Sequence, residues 1–262
     1  MRFLFQSILR SSLALALLTV PVAAQEVSRV VRDMFNVGVR LFEAEQYRAA
    51  AESFQKAIDM APNLFQARVY LATSYVQLFV PGDNSAGNRE VAKQALDALG
   101  NVLQKDPKNL PATDSMASIY LQMRDLPKAT DWVHRVLMLN PGNKAALTTI
   151  GLIAWLEFTD KDREARQTLD MKQGDPGPLP DDELRAELKA QYGEKLQEGI
   201  GSVQQVLSDD ATYADAMAAM ARLLRAKADL ADTDSEYQTI MAEADDWARK
   251  VGGAATTKPG SK

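Results

Sequence analysis

A helical segment that ends in a proline recurs along this chain, and this recurrence constrains the fold more than any other feature. The segments YRAAAESFQKAIDMAPN, ALDALGNVLQKDPKN and ATDWVHRVLMLNPGN place Pro62, Pro107 and Pro141 in register, and Ala211 stands at the corresponding fourth position. The successive spacings are 45, 34 and 70 residues. The 34-residue spacing is a typical period for helical repeats. The 45- and 70-residue units exceed it by 11 and 36 residues, so the pattern predicts an insertion in each of them.

Small residues and larger apolar residues recur at fixed offsets before each ending. Gly38 precedes Ala50 in the first unit and Ala117 precedes Ala129 in the third, which predicts close helix crossings because only Gly or Ala lets two backbones approach. The residues that carry the pattern are Met34, Val37, Gly38, Leu41, Ala50, Phe54 and Ala57, then Leu71, Ala72, Tyr75, Ala95, Leu99 and Val102, then Met116, Ala117, Tyr120, Ala129, Val133 and Val136, then Ile150, Gly151, Ala154, Gly199, Val203 and Val206.

This pattern resembles that of the tetratricopeptide-repeat family. The resemblance implies an all-α superhelix of about five stacked antiparallel helix hairpins over residues 25–251, with an inserted helical segment in the fourth unit. Each hairpin would complete its core by packing on its neighbours. Helices are predicted near 27–44, 47–60, 63–79, 89–105, 110–123, 126–139 and 143–158, followed by a fifth hairpin, and 252–262 are expected to form a disordered tail.

The two insertions lie near 80–90 and 156–198. In the first, the run PGDN predicts a turn, and Asn88 is expected to cap the next helix. In the second, QGDPGPLPDD breaks the chain before a long helix from 182 to 207, with Asp181 or Asp182 as its cap. Thr159 is the expected start of a short helix folded against that long one.

The first 24 residues have the pattern of a secretory signal peptide. Arg2 and Arg10 precede an apolar stretch, and small residues lead to Ala24 and Gln25. The apolar run is shorter than the roughly 20 residues that a membrane-spanning helix needs, which disfavours an uncleaved anchor. We therefore expect cleavage after Ala24, a periplasmic or secreted chain, and no stable membrane insertion after processing.

The ionisable residues give little indication of catalysis or metal binding. The chain has no cysteine and a single histidine, His134, so no second imidazole or thiol can complete a metal site or a nucleophile and base pair. Neither Asp83, Asn84 and Asn88 nor the stretch 232–236 has the spacing of a calcium loop. The net charge of −5 argues against nucleic acid, which requires clustered Lys and Arg. We expect no enzyme activity, cofactor, metal or nucleic-acid partner.

The resemblance implies a non-catalytic adaptor or scaffold, here in the bacterial cell envelope, that binds a protein or peptide segment in a concave groove. A secreted small-ligand receptor, or a carboxylate-based enzyme that uses the inserted helical segment, is the alternative. Phe35 and Phe42 are expected to anchor the partner. Their replacement by alanine is therefore expected to weaken binding while changing the stability of the chain little. If the helix faces follow the family, the groove is lined by Arg32, Phe35, Val39, Phe42, Val69, Thr73, Val76, Ser118, Leu121, Leu152 and Trp155.

Two alternatives remain at these positions. The chaperone-tail-binding members of the family clamp a terminal carboxylate with Lys and Asn on successive leading helices, whereas the third leading helix here carries Asp114 and Ser118. That recognition mode is therefore not expected. The inserted helix could instead cover Leu152 and Trp155, in which case these two residues would belong to the core.

Overall fold

The structure, a computed structural model, describes residues 29–172, 175 and 177–256, and over this part of the chain it contains ten α-helices and no β-strand. The predicted signal peptide and residues 257–262 of the predicted tail lie outside the described residues. The helices are α1 (Arg29–Glu43), α2 (Tyr47–Met60), α3 (Phe65–Leu78), α4 (Ala86–Lys105), α5 (Leu110–Gln122), α6 (Leu126–Leu139), α7 (Lys144–Thr168), α8 (Asp182–Asp209), α9 (Ala214–Ala228) and α10 (Asp234–Thr256).

The helices form consecutive antiparallel hairpins in two compact units that divide between Leu139 and Asn140. Unit 1 contains the hairpins α1/α2, α3/α4 and α5/α6, and each helix packs against the next one along the chain. Unit 2 contains α7/α8 and α9/α10, with α9 also packed against α7 and α8. The all-α, tetratricopeptide-repeat-like fold predicted from the sequence is confirmed, and α1 to α6 begin and end within three residues of their predicted bounds.

The repeated ending forms the same turn each time one hairpin leads into the next. Proline suits the second position of such a turn because its ring fixes φ. Ala211 replaces proline in the fourth turn, where the Asp210 carboxylate accepts hydrogen bonds from the amide and hydroxyl of Thr212. Asn109 and Asn143 also cap the helices that follow. The bond that closes each turn, 2.9 to 3.1 Å long, is donated by Leu64 to Ala61, Asn109 to Asp106, Asn143 to Asn140 and Tyr213 to Asp210.

The first insertion is closed by Asn88, but not in the way that the sequence predicts. Ser85 caps α4 by accepting a hydrogen bond from the amide of Asn88 at 3.2 Å. The buried Asn88 side chain instead holds the loop, because it bonds to the amide and carbonyl of Val80 and to the carbonyl of Asp83, each at 2.8 Å. The prediction that Asn88 caps the helix is therefore wrong, and α4 begins before this residue.

The second insertion lengthens both helices of the fourth hairpin. α7 runs without a break from Lys144 to Thr168, so the predicted new helix at Thr159 is wrong; the Thr159 hydroxyl donates within the helix to the carbonyl of Trp155 at 2.7 Å. α8 matches its prediction, and Asp181 caps it through the amide of Leu184. The added halves pack on each other, with the rings of Phe158 and Tyr192 6.2 Å apart.

The structure differs from two other local predictions, one at Gly38 and one at the C-terminal helix. A Cβ built on Gly38 would lie 2.6 Å from Cε1 of Phe54, whereas the repeat pattern predicts Ala50 at this crossing. The glycine therefore makes room for an aromatic ring between α1 and α2. At the other end of the chain, α10 continues to Thr256, so its helix enters the stretch 252–262 that is predicted to be disordered.

Candidate partner-binding surface

A depression in unit 1 lies between α3 and α5, with α4 beneath it. It holds about 560 Å³ of unfilled space, including the part that opens to solvent. The buried side chains of Leu99 and Val102 come from α4 and form the apolar floor. The remaining lining residues are Val69, Ala72, Thr73, Val76 and Gln77 of α3, Asn109 before α5, and Pro111, Ala112, Asp114 and Ser115 of α5.

Three of the predicted groove residues, Val69, Thr73 and Val76, meet in this depression. They lie on one face of α3 and are all half-buried, so that face remains partly accessible. The Thr73 hydroxyl donates to the carbonyl of Val69 at 2.9 Å, which leaves its oxygen lone pairs as acceptors. The α3 wall is thus mostly apolar with hydrogen-bonding groups at Thr73 and Gln77.

Among the residues that the structure describes, Asp114 is the only one with an ionisable side chain that lines the depression. It is half-buried, and within the described residues it has neither a salt bridge nor a side-chain hydrogen bond. Burial raises the pKa of the Asp114 carboxyl, and no charged group in the described part of the chain counteracts this effect. A carboxylate in such a position has lost part of its hydration without gaining a partner.

Phe35 and Phe42, the predicted anchors on α1, belong to an aromatic cluster. The Phe35 ring lies 5.6 Å from the rings of Phe54 and Tyr70, and Phe42 lies 5.7 Å from Tyr70 and 5.2 Å from Tyr47. Phe54 and Tyr70 are themselves stacked at 5.1 Å. These contacts join α1, α2 and α3, so Phe35 and Phe42 contribute to packing within unit 1.

The other predicted groove residues of unit 1 differ in accessibility. Arg32 is exposed on α1, and Val39 is half-buried against the core. Ser118 is half-buried one turn beyond Asp114 and does not line the depression. Leu121 is only 6% exposed, so it offers almost no surface to a partner.

Leu152 and Trp155 lie in unit 2, where both are half-buried on α7. The guanidinium carbon of Arg222 lies 5.2 Å from the centre of the Trp155 ring, which is within the range of a cation–π contact. Arg222 belongs to α9. Trp155 is therefore covered in part by a residue of the last hairpin.

Unit 2 contains a buried ionic cluster that the sequence does not predict. The Arg166 side chain is 5% exposed, and its Nε lies 3.0 Å from both carboxylate oxygens of Asp162, one turn earlier on α7. Its Nη2 donates at 2.8 Å to Asp229, at the end of α9. Burial raises the pKa of Asp229 to about 7, against the lowering effect of Arg166, and Asp162 adds to the rise. Burial also raises the pKa of Asp162, and Arg166 again opposes it.

The same cluster holds the loop between α7 and α8. The backbone carbonyl of Asp229 accepts a hydrogen bond from the amide of Leu179 at 3.0 Å, and Leu179 is completely buried. Arg185 of α8 donates to the Leu179 carbonyl. The insertion is therefore anchored to the last hairpin by a buried leucine and a shared arginine. The sequence signal for this cluster is the pair Asp162 and Arg166 at a spacing of four, which usually indicates a solvated ion pair.

Over the described part of the chain, no group of three or more His, Cys, Asp or Glu residues could hold a metal ion. His134 is exposed. Asp83 is bonded to the amide and hydroxyl of Ser85, and Asp232 pairs with Lys189 at 2.6 Å. None of the described helices is both long enough and apolar enough to cross a membrane.

Solved structures share this fold, although similarity at the level of sequence is low. No protein-family model and no curated protein matches the chain. The structure described as MamA 41-end from Desulfovibrio magneticus RS-1 matches with a TM-score of 0.59 and 12% identity over 89% of this chain and 99% of that one. A crystal structure of MamA protein matches with a TM-score of 0.56 and 13% identity over 88% and 97%. At these identities, the likeness shows a common fold.

Proposed function

We propose that this chain is a non-catalytic adaptor or scaffold that binds a segment of a partner protein in the depression of unit 1. The observation that carries the proposal is the half-buried apolar face of Val69 and Val76 above the floor of Leu99 and Val102. Neighbouring apolar walls with a few polar groups suit an extended or helical peptide. The repeat-like fold supports this use of the surface, since hairpin arrays present extended binding faces.

We also propose that the first 24 residues direct export, so that binding takes place in the bacterial periplasm or outside the cell. The support is the order of basic, apolar and small residues ahead of Gln25. An envelope protein is then the expected class of partner. The alternative of an enzyme or small-ligand receptor in the inserted segment has less support, because Asp162, a buried carboxylate of that segment, is paired with Arg166, which also pairs with Asp229 at the end of α9.

Site-specific photo-crosslinking tests the proposed surface. A photoreactive phenylalanine at Gln77, which lines the depression, should form a covalent adduct with a defined envelope protein after irradiation of intact cells. The matched control replaces Lys93, an exposed residue of α4 outside the depression. Equal yields of the same adduct from both positions, or no adduct from Gln77, would count against the proposal.

A further inference from the structure

We infer that the depression of unit 1 receives a lysine or arginine side chain of the partner segment, with its charge placed against the carboxylate of Asp114. This inference rests on the proposed function, since it names the chemistry of the segment that the same surface binds. In the carboxylate-binding mode described above, the repeats supply the lysine and the partner supplies the carboxylate. Here the chain would supply the carboxylate and the partner the cation.

The first reason is the charge of the lining. Asp114 is the only ionisable residue among the side chains that line the depression, and over the described residues it has no cationic partner. A half-buried carboxylate without a partner costs stability, because burial removes water that would solvate the charge. Residues that lower stability in this way are commonly kept for binding. A cation from outside the chain is the group that would compensate Asp114.

The second reason is the apolar part of the lining. Lysine and arginine have long aliphatic stems that pack on apolar surface while the charged group reaches a polar partner. Val69 and Val76 form one wall, and Leu99 and Val102 form the floor, so a stem can lie on them with its head group near Asp114. An apolar side chain would fill the same space but would leave the carboxylate without compensation.

The third reason is the set of acceptors beside the carboxylate. An ammonium or guanidinium group carries several donors and no acceptor. The Thr73 oxygen can accept because its proton is bonded to Val69, and Gln77, whose side-chain amide carries a carbonyl acceptor, lines the same depression. Neighbouring acceptors therefore add to the charge pair and favour a donor-rich head group over a hydroxyl or an amide.

Selection of peptides on the full chain tests this inference. The probe is a phage-displayed library of random peptides of about twelve residues, and the best peptide is then synthesised with its basic residue or with norleucine, an uncharged analogue, at that position. We expect the norleucine peptide and the Asp114→Asn variant each to lower affinity at least about tenfold, and the two changes together to cost little more than either alone. Asp131→Asn, an exposed carboxylate on α6, is the matched control and should leave affinity unchanged.

Acid provides a second readout. Protonation of Asp114 removes the charge that the partner requires, so affinity should fall as the pH is lowered through the raised pKa of Asp114. Asp114→Asn should abolish that part of the pH dependence, since none of the other described residues that line the depression has an ionisable side chain.

The folding of the variant is also predicted. Because Asp114 has no partner among the described residues, Asp114→Asn should melt at the same temperature as the natural chain or at a higher one. A marked fall in melting temperature would show that the carboxylate is structural, and would overturn the inference.

The remaining outcomes separate the inference from the proposed function. Peptides that crosslink to a photoreactive residue at Gln77 but need no basic residue, and bind Asp114→Asn equally well, would overturn the inference while supporting a peptide-binding depression. If no selected peptide crosslinks there, both would be contradicted.

Discussion

Gly151 and Gly199 meet backbone to backbone where α7 crosses α8. A Cβ built on Gly199 would lie 3.1 Å from the Cα of Gly151, and one built on Gly151 would lie 2.6 Å from Cγ2 of Val203. We expect Gly151→Ala to destabilise the protein by about 1 to 2 kcal/mol, because overpacking outweighs the higher helix propensity of alanine. Chemical denaturation measures this change. Gly201→Ala is the control, since a Cβ there meets no atom of the described residues within 4 Å, and it should stabilise by roughly 0.5–1 kcal/mol. Shifts of the same sign in both variants would contradict the assigned crossing.

The contacts of the aromatic cluster in unit 1 predict that loss of the Phe35 and Phe42 rings lowers stability, whereas the sequence alone predicts little effect. Phe35→Ala combined with Phe42→Ala removes ring contacts to Phe54, Tyr70 and Tyr47, so we expect a loss of at least about 2 kcal/mol. Thermal melting measures it. Val37→Ala, at an exposed position of the same helix, should change the melting temperature little. An unchanged melting temperature in the double variant would show that these rings contribute little to packing and are available to bind a partner.

Arg166 compensates two buried carboxylates, so its removal should be costly. We expect Arg166→Leu to destabilise unit 2 by about 3–5 kcal/mol near neutral pH, because Asp162 and Asp229 would be left without their common partner. Arg163→Leu is the matched control on the same helix. Arg163 pairs with Asp160 in an exposed ion pair, and its loss should cost less than about 1 kcal/mol. Urea denaturation measures both losses. Equal losses in the two variants would show that the buried cluster stabilises the protein no more than the exposed pair does.

The pKa of Asp229 predicts how stability depends on pH. Because burial raises this pKa to about 7 from the ordinary 3.8, the folded chain binds the proton more tightly than the unfolded chain does. The resulting stabilisation is complete below the unfolded pKa and is lost as the pH rises through about 7. Asp229→Asn should flatten this slope, measured by denaturation at a series of pH values, while the exposed control Asp170→Asn should leave it unchanged. A slope that survives Asp229→Asn would assign it to other groups.

The proposed export predicts a defined processing site. Mature protein isolated from the native host should begin at Gln25, because the small residues that end at Ala24 are typical of a signal-peptidase site. Intact-mass measurement identifies the first residue. A mature chain that retains Met1 would contradict the proposal.

Regular features of the fold could be predicted because each unit repeats the same local chemistry. The prolines at 62, 107 and 141 occupy the same turn position, and the pattern of small residues includes Gly151 and Gly199, which meet where α7 crosses α8. Departures occur where a residue has more than one use. Asn88 and Ser85 both suit a helix cap, and only tertiary packing assigns the cap to Ser85 and the loop contacts to Asn88.

The candidate site could be predicted less fully. The helical period places Val69, Thr73 and Val76 on one face, and the structure brings them together with Asp114. The same period cannot show that Phe35 and Phe42 turn toward Tyr70, or that Leu121 is buried, because these depend on how neighbouring hairpins pack. Arg166 and Asp229 are 63 residues apart in the sequence, so no local pattern relates them.

Partner binding in the depression of unit 1 is tested most directly by methyl NMR of the full chain. Spectra would be recorded with and without a synthetic peptide that represents the partner segment crosslinked at Gln77. The methyl signals of Val69, Val76 and Leu99 should shift on addition, because these residues line the depression, while those of Val203 and Val206, buried in unit 2, should remain in place. Shifts that cluster outside the depression, or no shifts at a saturating concentration of peptide, would contradict the proposed binding surface.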